Sequence, residues 1–169
     1  ATTYPFVGTN VAIEAIYLSA SGFTVAPAGA GQNQTEVPFL QLELKTSSDF
    51  VNIDKIRFRQ YGTVDAGGGV GDGDLTKMSV WKDNGDRVFT PANDTLLGSS
   101  AAFAGGSALV DLSAGALDTT ALPYLRVSTA ATRLFVTGDI GVLDRAAGTT
   151  IGHVAGLRLA TYDDIFGLN

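Results

Sequence analysis

Phe39-Leu40-Gln41-Leu42-Glu43-Leu44-Lys45 alternates apolar and polar residues one by one. Successive side chains on an extended chain point to opposite faces, so Leu40, Leu42 and Leu44 share one face and Gln41, Glu43 and Lys45 the other. This is a β-strand with one dry side and one wet side. Ile56 and Phe58 repeat the pattern against Lys55, Arg57 and Arg59, which read as a solvated strand face.

Outward from these two runs the same period of two recurs. Strand-like segments fall at Leu75 to Trp81, with Met78 and Val80 inward, and at Arg87 to Phe89, Ala108 to Leu112 and Tyr124 to Val127. Two more follow at Leu134 to Ile140 and Ile151 to Leu159, and Gly, Asp, Ser and Pro separate them all. No segment carries a sustained apolar stripe of helical period, and only Ser113 to Thr120 reads as a single helical turn. Many short strands without helices predict an all-β protein, an antiparallel β-sandwich of Ig-like or jelly-roll type. The expected core is Leu40, Leu42, Leu44, Ile56, Phe58, Met78, Val80, Phe89, Leu97, Val110, Leu112, Leu125, Val127, Leu134, Val136, Ile140, Ile151, Leu157 and Leu159.

Composition bounds the function. A chain of 169 residues supports one domain with a sizeable core. It has no cysteine, which removes disulfide scaffolds, thiolate zinc sites and cysteine nucleophiles. A net charge of -6 repels phosphate backbones and argues against a nucleic-acid partner. No apolar run approaches the ~20 residues of a spanning helix, so no membrane span is expected. The start Ala1-Thr2-Thr3 reads as the product of export-signal removal, and low charge with abundant small residues suits a surface or secreted β-protein.

The N-terminal segment differs from the rest. Val11-Ala12-Ile13-Glu14-Ala15-Ile16-Tyr17-Leu18 is apolar on both faces of a strand except at Glu14, and the linker Ala26 to Asn33 follows it. One reading is an ordinary first strand, or a short helix, packed in the same sandwich. The other is an arm within residues 1–34 that leaves its own globule, residues 35–169, and completes a neighbour's sheet. Val11, Ile13, Ile16 and Leu18 would then fill the acceptor groove, and the partner would be another copy of the chain.

Chemistry concentrates in the turn after Trp81. Asn84, Asp86, the Val88 carbonyl and Asn93 or Asp94 fall at spacings like those of a looped calcium site, for which several oxygen ligands are needed. The first ligand position would be Lys82 and the glycine position Arg87, so the motif is degraded; a register starting at Asp83 repairs the first position. The fold would require no cofactor, and calcium is the candidate ion. A plain Asn-Gly hairpin through Asp83-Asn84-Gly85-Asp86 explains the same residues without metal.

Other sites are weaker. His153, the single histidine, has no flagged triad partners, and the acidic pairs Asp72/Asp74 and Asp163/Asp164 are ordinary in loops. The glycine-rich run Ala66 to Asp74 lacks the Gly-Lys-Ser/Thr ending of a phosphate loop. Trp81, read as exposed, could join Tyr61, Tyr124 and Tyr162 in a sugar-stacking platform, and Asn33 and Asn93 begin glycosylation sequons, so a glycan is a candidate partner.

From Phe39 to Leu159 the order of segments resembles an Ig-like or cohesin-like β-sandwich module of bacterial and archaeal surface proteins. The resemblance rests on Phe39 to Leu44, Ile53 to Phe58, the Val80-Trp81-Lys82-Asp83-Asn84-Gly85-Asp86 loop ending at Asp94 to Gly98, Phe103 to Gly106, Leu134 to Ile140 and Gly148 to Gly152. It implies a cell-surface scaffold whose acidic loop sometimes binds calcium and which has no catalytic constellation. The expectation is therefore a non-enzymatic extracellular structural protein, a subunit of a filament or layer. A carbohydrate- or protein-binding module is the alternative, and a glycoside hydrolase stands behind both.

Overall fold

The computed structural model describes residues 15–62, 74–100, 103–112, 125–141 and 154–168. Ten strands form over these residues: β1 Leu18–Thr24, β2 Val37–Thr46, β3 Val51–Gly62, β4 Leu75–Lys82, β5 Thr95–Ser100, β6 Ser107–Asp111, β7 Leu125–Val127, β8 Thr132–Ile140, β9 Ala155–Arg158 and β10 Ile165–Leu168. A 3-10 turn at Tyr162–Asp164 leads into the last strand, and no helix among the described residues is long and apolar enough to cross a membrane.

The strands make two antiparallel sheets. The first runs β1-β2-β8-β4-β5. The second is organised around β3, the longest strand. β6 and β7 succeed one another along one side of it, at Lys55 to Arg59 and Val51 to Ile53; β9 and β10 do the same along the other, at Arg59 to Gly62 and Asn52 to Ile56. The alternation of β3 explains the core. Ile56 and Phe58 turn inward and are fully buried, as are Leu42 and Leu44 of β2, Met78 and Val80 of β4, and Leu134 and Val136 of β8. Each such side chain removed from water contributes ~1.5–3 kcal/mol. The chain is an all-β sandwich, as its period of two predicts.

Several details depart from the sequence reading. β2 carries a register shift between Pro38 and Leu40, which turns Phe39 into the core and leaves Leu40 half-buried at its margin. Arg87 to Phe89 is not a strand: β4 pairs directly with β5, so the turn is a twelve-residue loop, 83–94, and not a two-residue Asn-Gly hairpin. Phe89 lies outside the core between the sheets. β4 is dry on both faces, because Ser79 and Trp81 point away from the core yet are buried. Trp81, expected at the surface, is 7% exposed.

One seam joins the layers, and one clasp closes the second sheet on itself. β5 passes so close to the end of β6 that a methyl group on Gly98 would fall on the carbonyl oxygen of Asp111. The chain end is clasped to β3 by Asp164, whose side chain is out of contact with solvent. The Nε and Nη2 of Arg59 donate to its two oxygens at 3.3 and 3.0 Å, and the backbone amides of Ala160 and Thr161 donate to Oδ2 at 3.1 Å each. Arg57 approaches to 3.8 Å. The run read as a solvated basic face thus holds a buried carboxylate.

The strand β1 falls inside segment 1–34 and pairs with β2 along its whole length, from Leu18 opposite Thr46 to Thr24 opposite Leu40. Its sequence, Leu-Ser-Ala-Ser-Gly-Phe-Thr, has no apolar run and gave no strand signal.

Candidate metal centre

The loop 83–94 leaves β4, folds back across the outer face of the first sheet and returns into β5. An aromatic anchor fixes it. Phe89 sets its ring 5.6 Å from that of Trp81 and 5.5 Å from that of Phe135, which face each other across β4 and β8. The Trp81 indole N–H donates to Thr137 Oγ1 at 3.0 Å, so the one polar atom of the ring is satisfied under the loop.

With Phe89 pinned, the loop's ends bring three carboxylates together. Oxygens of Asp83, Asp86 and Asp94 lie within 4.8 Å of one another. Asp94 is buried and accepts the amide of Asn84 on Oδ1 at 3.1 Å and that of Thr90 on Oδ2 at 2.8 Å. Asp83 accepts the amide of Arg87 at 3.1 Å, and exposed Asp86 accepts that of Val88 at 2.8 Å. These bonds leave lone pairs on every carboxylate, since each can accept about four hydrogen bonds. Three converging carboxylates are the hard, oxygen-rich donor set that calcium takes.

Of the six ligand positions expected from spacing, Asp83, Asp86 and Asp94 converge. Asn84 is turned to the loop itself: its Oδ1 accepts the Asp86 amide at 2.9 Å. Asn93 is exposed and bonds through its amide to the Thr90 carbonyl. Val88 is exposed, and its amide is committed to Asp86. Counting from Asp83 puts Asp94 in position twelve, as the shifted register requires, but Asp86 in position four. Arg87 takes the left-handed φ of 65° for which such loops use glycine.

The remaining sites are scattered. Trp81 and Tyr61 sit on opposite outer faces of the sandwich and Tyr162 on the 3-10 turn, so these three form no common platform; Tyr124 and His153 lie outside the described residues, as does Asp72. Asn33 and Asn93 are both at the surface. Val11 and Ile13 also lie outside the described residues. Ile16 is exposed, and Leu18 opens β1 and packs against its own core. Tyr17 is tied to Ser47, accepting its amide at 2.9 Å and donating to its hydroxyl at 3.0 Å. The clasp of Asp164 on Arg59 leaves no mark in residue spacing, because the two are 105 residues apart and no short-range pattern links them. Neither a protein-family model nor a curated protein sequence matches the chain.

Proposed function

We propose that the protein is a non-enzymatic extracellular structural protein that assembles with copies of itself at the cell surface, as the subunit of a filament or layer. The observation that carries this reading is the free edge of β1. Sheets in monomeric proteins guard their edges with Lys, Pro, bulges or shortness, because an edge strand offers unpaired N–H and C=O groups to any extended chain. β1 spans seven residues in unbroken register with β2, has neither Lys nor Pro, and exposes every side chain but that of Leu18. No strand among the described residues pairs with its far side.

The apolar arm, carrying Val11, Ile13 and Ile16, would add to that edge on a neighbouring copy, with main-chain hydrogen bonds supplying strength. Tyr17 and Leu18 stay with their own sheet and anchor the arm's root. Calcium at Asp83, Asp86 and Asp94 would brace the loop without being needed for folding, and Asn33 and Asn93 are the positions a glycan would occupy.

The test compares the full chain with one starting at Tyr17, by light scattering after size exclusion and by negative-stain imaging. Polymer from the full chain and monomer from the shortened one is the expected result. The same monomeric state in both sinks the reading.

A further inference from the structure

Alternation along β3 is reset once. Ile53 and Ile56 are both fully buried although they stand three residues apart, because β3 takes one extra residue, Asp54, where its pairing with β10 shifts between Phe166 and Gly167. Asn52, Lys55, Arg57 and Arg59 therefore share the outer face of the second sheet. Arg126 of β7 lies opposite Asn52 and Arg158 of β9 opposite Arg59, so five of the chain's eleven basic residues stand on one side of the sandwich.

Three of the five are committed. Lys55 lies 3.9 Å from Asp111, and Arg57 and Arg59 hold the buried Asp164. With half-buried Asp54 on β3 and Asp163 on the 3-10 turn, the region as a whole carries little surplus charge. That surplus sits at two points. Neither Arg126 nor Arg158 has a carboxylate partner among the described residues, and both are exposed.

Each of these two arginines is laid on an exposed ring. Arg126 lies over Phe50, 4.1 Å from the ring centre, and its Nε donates to Asn52 Oδ1 at 3.4 Å, which leaves both Nη groups for a ligand. Arg158 lies over Tyr61 at 5.9 Å, and Tyr61 rests where Gly156 lacks a side chain, so the ring lies across the strands with about half of its surface exposed. A guanidinium held on a ring loses little freedom when its planar edge takes a carboxylate or a sulfate. The exposed ring beside it offers the flat apolar surface on which the C–H face of a sugar packs. The two pairs stand seven residues apart along β3, from Asn52 to Arg59, or about 24 Å at the rise of a strand.

We infer that this face binds an anionic polysaccharide, laid along β3 with one acidic group at Arg126, another at Arg158, and sugar rings against Phe50 and Tyr61. A nucleic acid fails on charge density. Duplex DNA over the same ~24 Å would bring about 14 phosphate charges to two available cations on a chain of net charge -6. A glycan that carries its carboxylates or sulfates singly and far apart matches the two points. The inference adds a ligand to the self-assembly reading and does not depend on it; an assembled array would repeat the site and hold its polymer many times over.

The experiment passes the full chain, with a chelator present to keep calcium out, over immobilised polygalacturonate, dextran sulfate, neutral dextran and duplex DNA. The first two separate a carboxylate from a sulfate as the group recognised. Retention on either acidic glycan and on neither control is the expected result, with elution at about 1 M salt, where the screening length falls to about 3 Å. Arg126→Ala and Arg158→Ala should each weaken binding about tenfold, through loss of a charge-assisted hydrogen bond, and together abolish retention. Lys45→Ala/Lys82→Ala removes the same charge from exposed positions on the other sheet and should bind as the wild type does. Circular dichroism checks that each variant folds, and light scattering should show wild-type assembly in all of them, since all keep the N-terminal arm. A wild type that runs through every column overturns the inference. So does an arginine double variant that is still retained, a lysine variant that loses retention equally, or DNA held as tightly as the glycans. An arginine variant that loses assembly as well as retention also overturns it, by giving the face to a contact between copies. Retention of a chain that is monomeric throughout upholds the inference and sinks the self-assembly reading alone.

Discussion

Asp164 and Arg59 join the two ends of the second sheet's architecture, the guanidinium giving both Nε and Nη2 to a carboxylate 105 residues later that has no contact with solvent. Burial by itself would raise the Asp164 carboxyl. Hydrogen bonds from Arg59, Ala160 and Thr161, with the charge of Arg59, outweigh it and hold the group below the ordinary 3.8. Asp164→Asn puts an amide donor where the oxygens now meet N–H donors and leaves the amides of Ala160 and Thr161 competing for a single acceptor, so it should destabilise the fold. A group whose pKa is depressed on folding stabilises above its unfolded value and loses that contribution as pH falls through the folded one. The gap between wild type and Asp164→Asn in urea melts should therefore be full at neutral pH and shrink only below about pH 4. A gap constant down to pH 2 would show that the charge plays no part.

Trp81 is the one tryptophan, so its emission reports on the loop that covers it. Phe89→Ala removes the ring that holds the loop on Trp81 and Phe135. The site is partly open, so the loss should be about 2–3 kcal/mol, below the range for a fully buried phenylalanine. Emission should move to longer wavelength in the native state, and an unmoved maximum would mean that other residues shield the indole.

The sandwich itself was written in local pattern. Alternation in Phe39 to Lys45 and in Lys55 to Arg59 is a property of neighbouring residues, and it identified the inward Leu42, Leu44, Ile56 and Phe58. Features that depend on distant packing were not legible. No described strand covers the far side of the edge strand β1, whose side chains apart from Leu18 and Phe23 are polar or small, so it lacks the apolar signal by which strands are read. Trp81 alternated out of phase with Met78 and Val80 and so counted as exposed; the return of Phe89 over the sheet, eight residues further along the chain, sets a ring against it, a contact that no alternation carries. The acidic loop was legible in part, since spacing brought Asp83, Asp86 and Asp94 to attention but could not tell that the Asn84 side chain also accepts the amide of Asp86 within the loop.

Gly98 tests the seam between the layers. Any side chain there meets the Asp111 carbonyl, which is backbone and cannot rotate away. Gly98→Ala should cost more than about 2 kcal/mol, in the range of overpacking a close contact. Gly29→Ala, with open space around it, serves as the control and should shift the melt by less than about 1 kcal/mol. Equal melts for the two variants would mean that β5 is free to move off β6.

The acidic loop separates into two functions by substitution. Asp94 is buried and caps two amides, so Asp94→Ala should destabilise the protein with no metal present, by about 1–3 kcal/mol. Asp86 is exposed and caps one, so Asp86→Ala should cost little without calcium yet abolish the response to it. With affinity in the range of extracellular calcium modules, roughly 0.1–1 mM, 10 mM calcium should stabilise the wild type by about 1.4–2.7 kcal/mol through mass action. Arg87→Gly removes both a positive charge beside the carboxylates and a left-handed φ of 65° that disfavours any side chain. That variant should be about 1 kcal/mol more stable without metal and should bind calcium more tightly. Calcium that shifts neither the melt nor Trp81 emission, together with a destabilised Asp94→Ala, would assign the three carboxylates wholly to holding the loop's backbone.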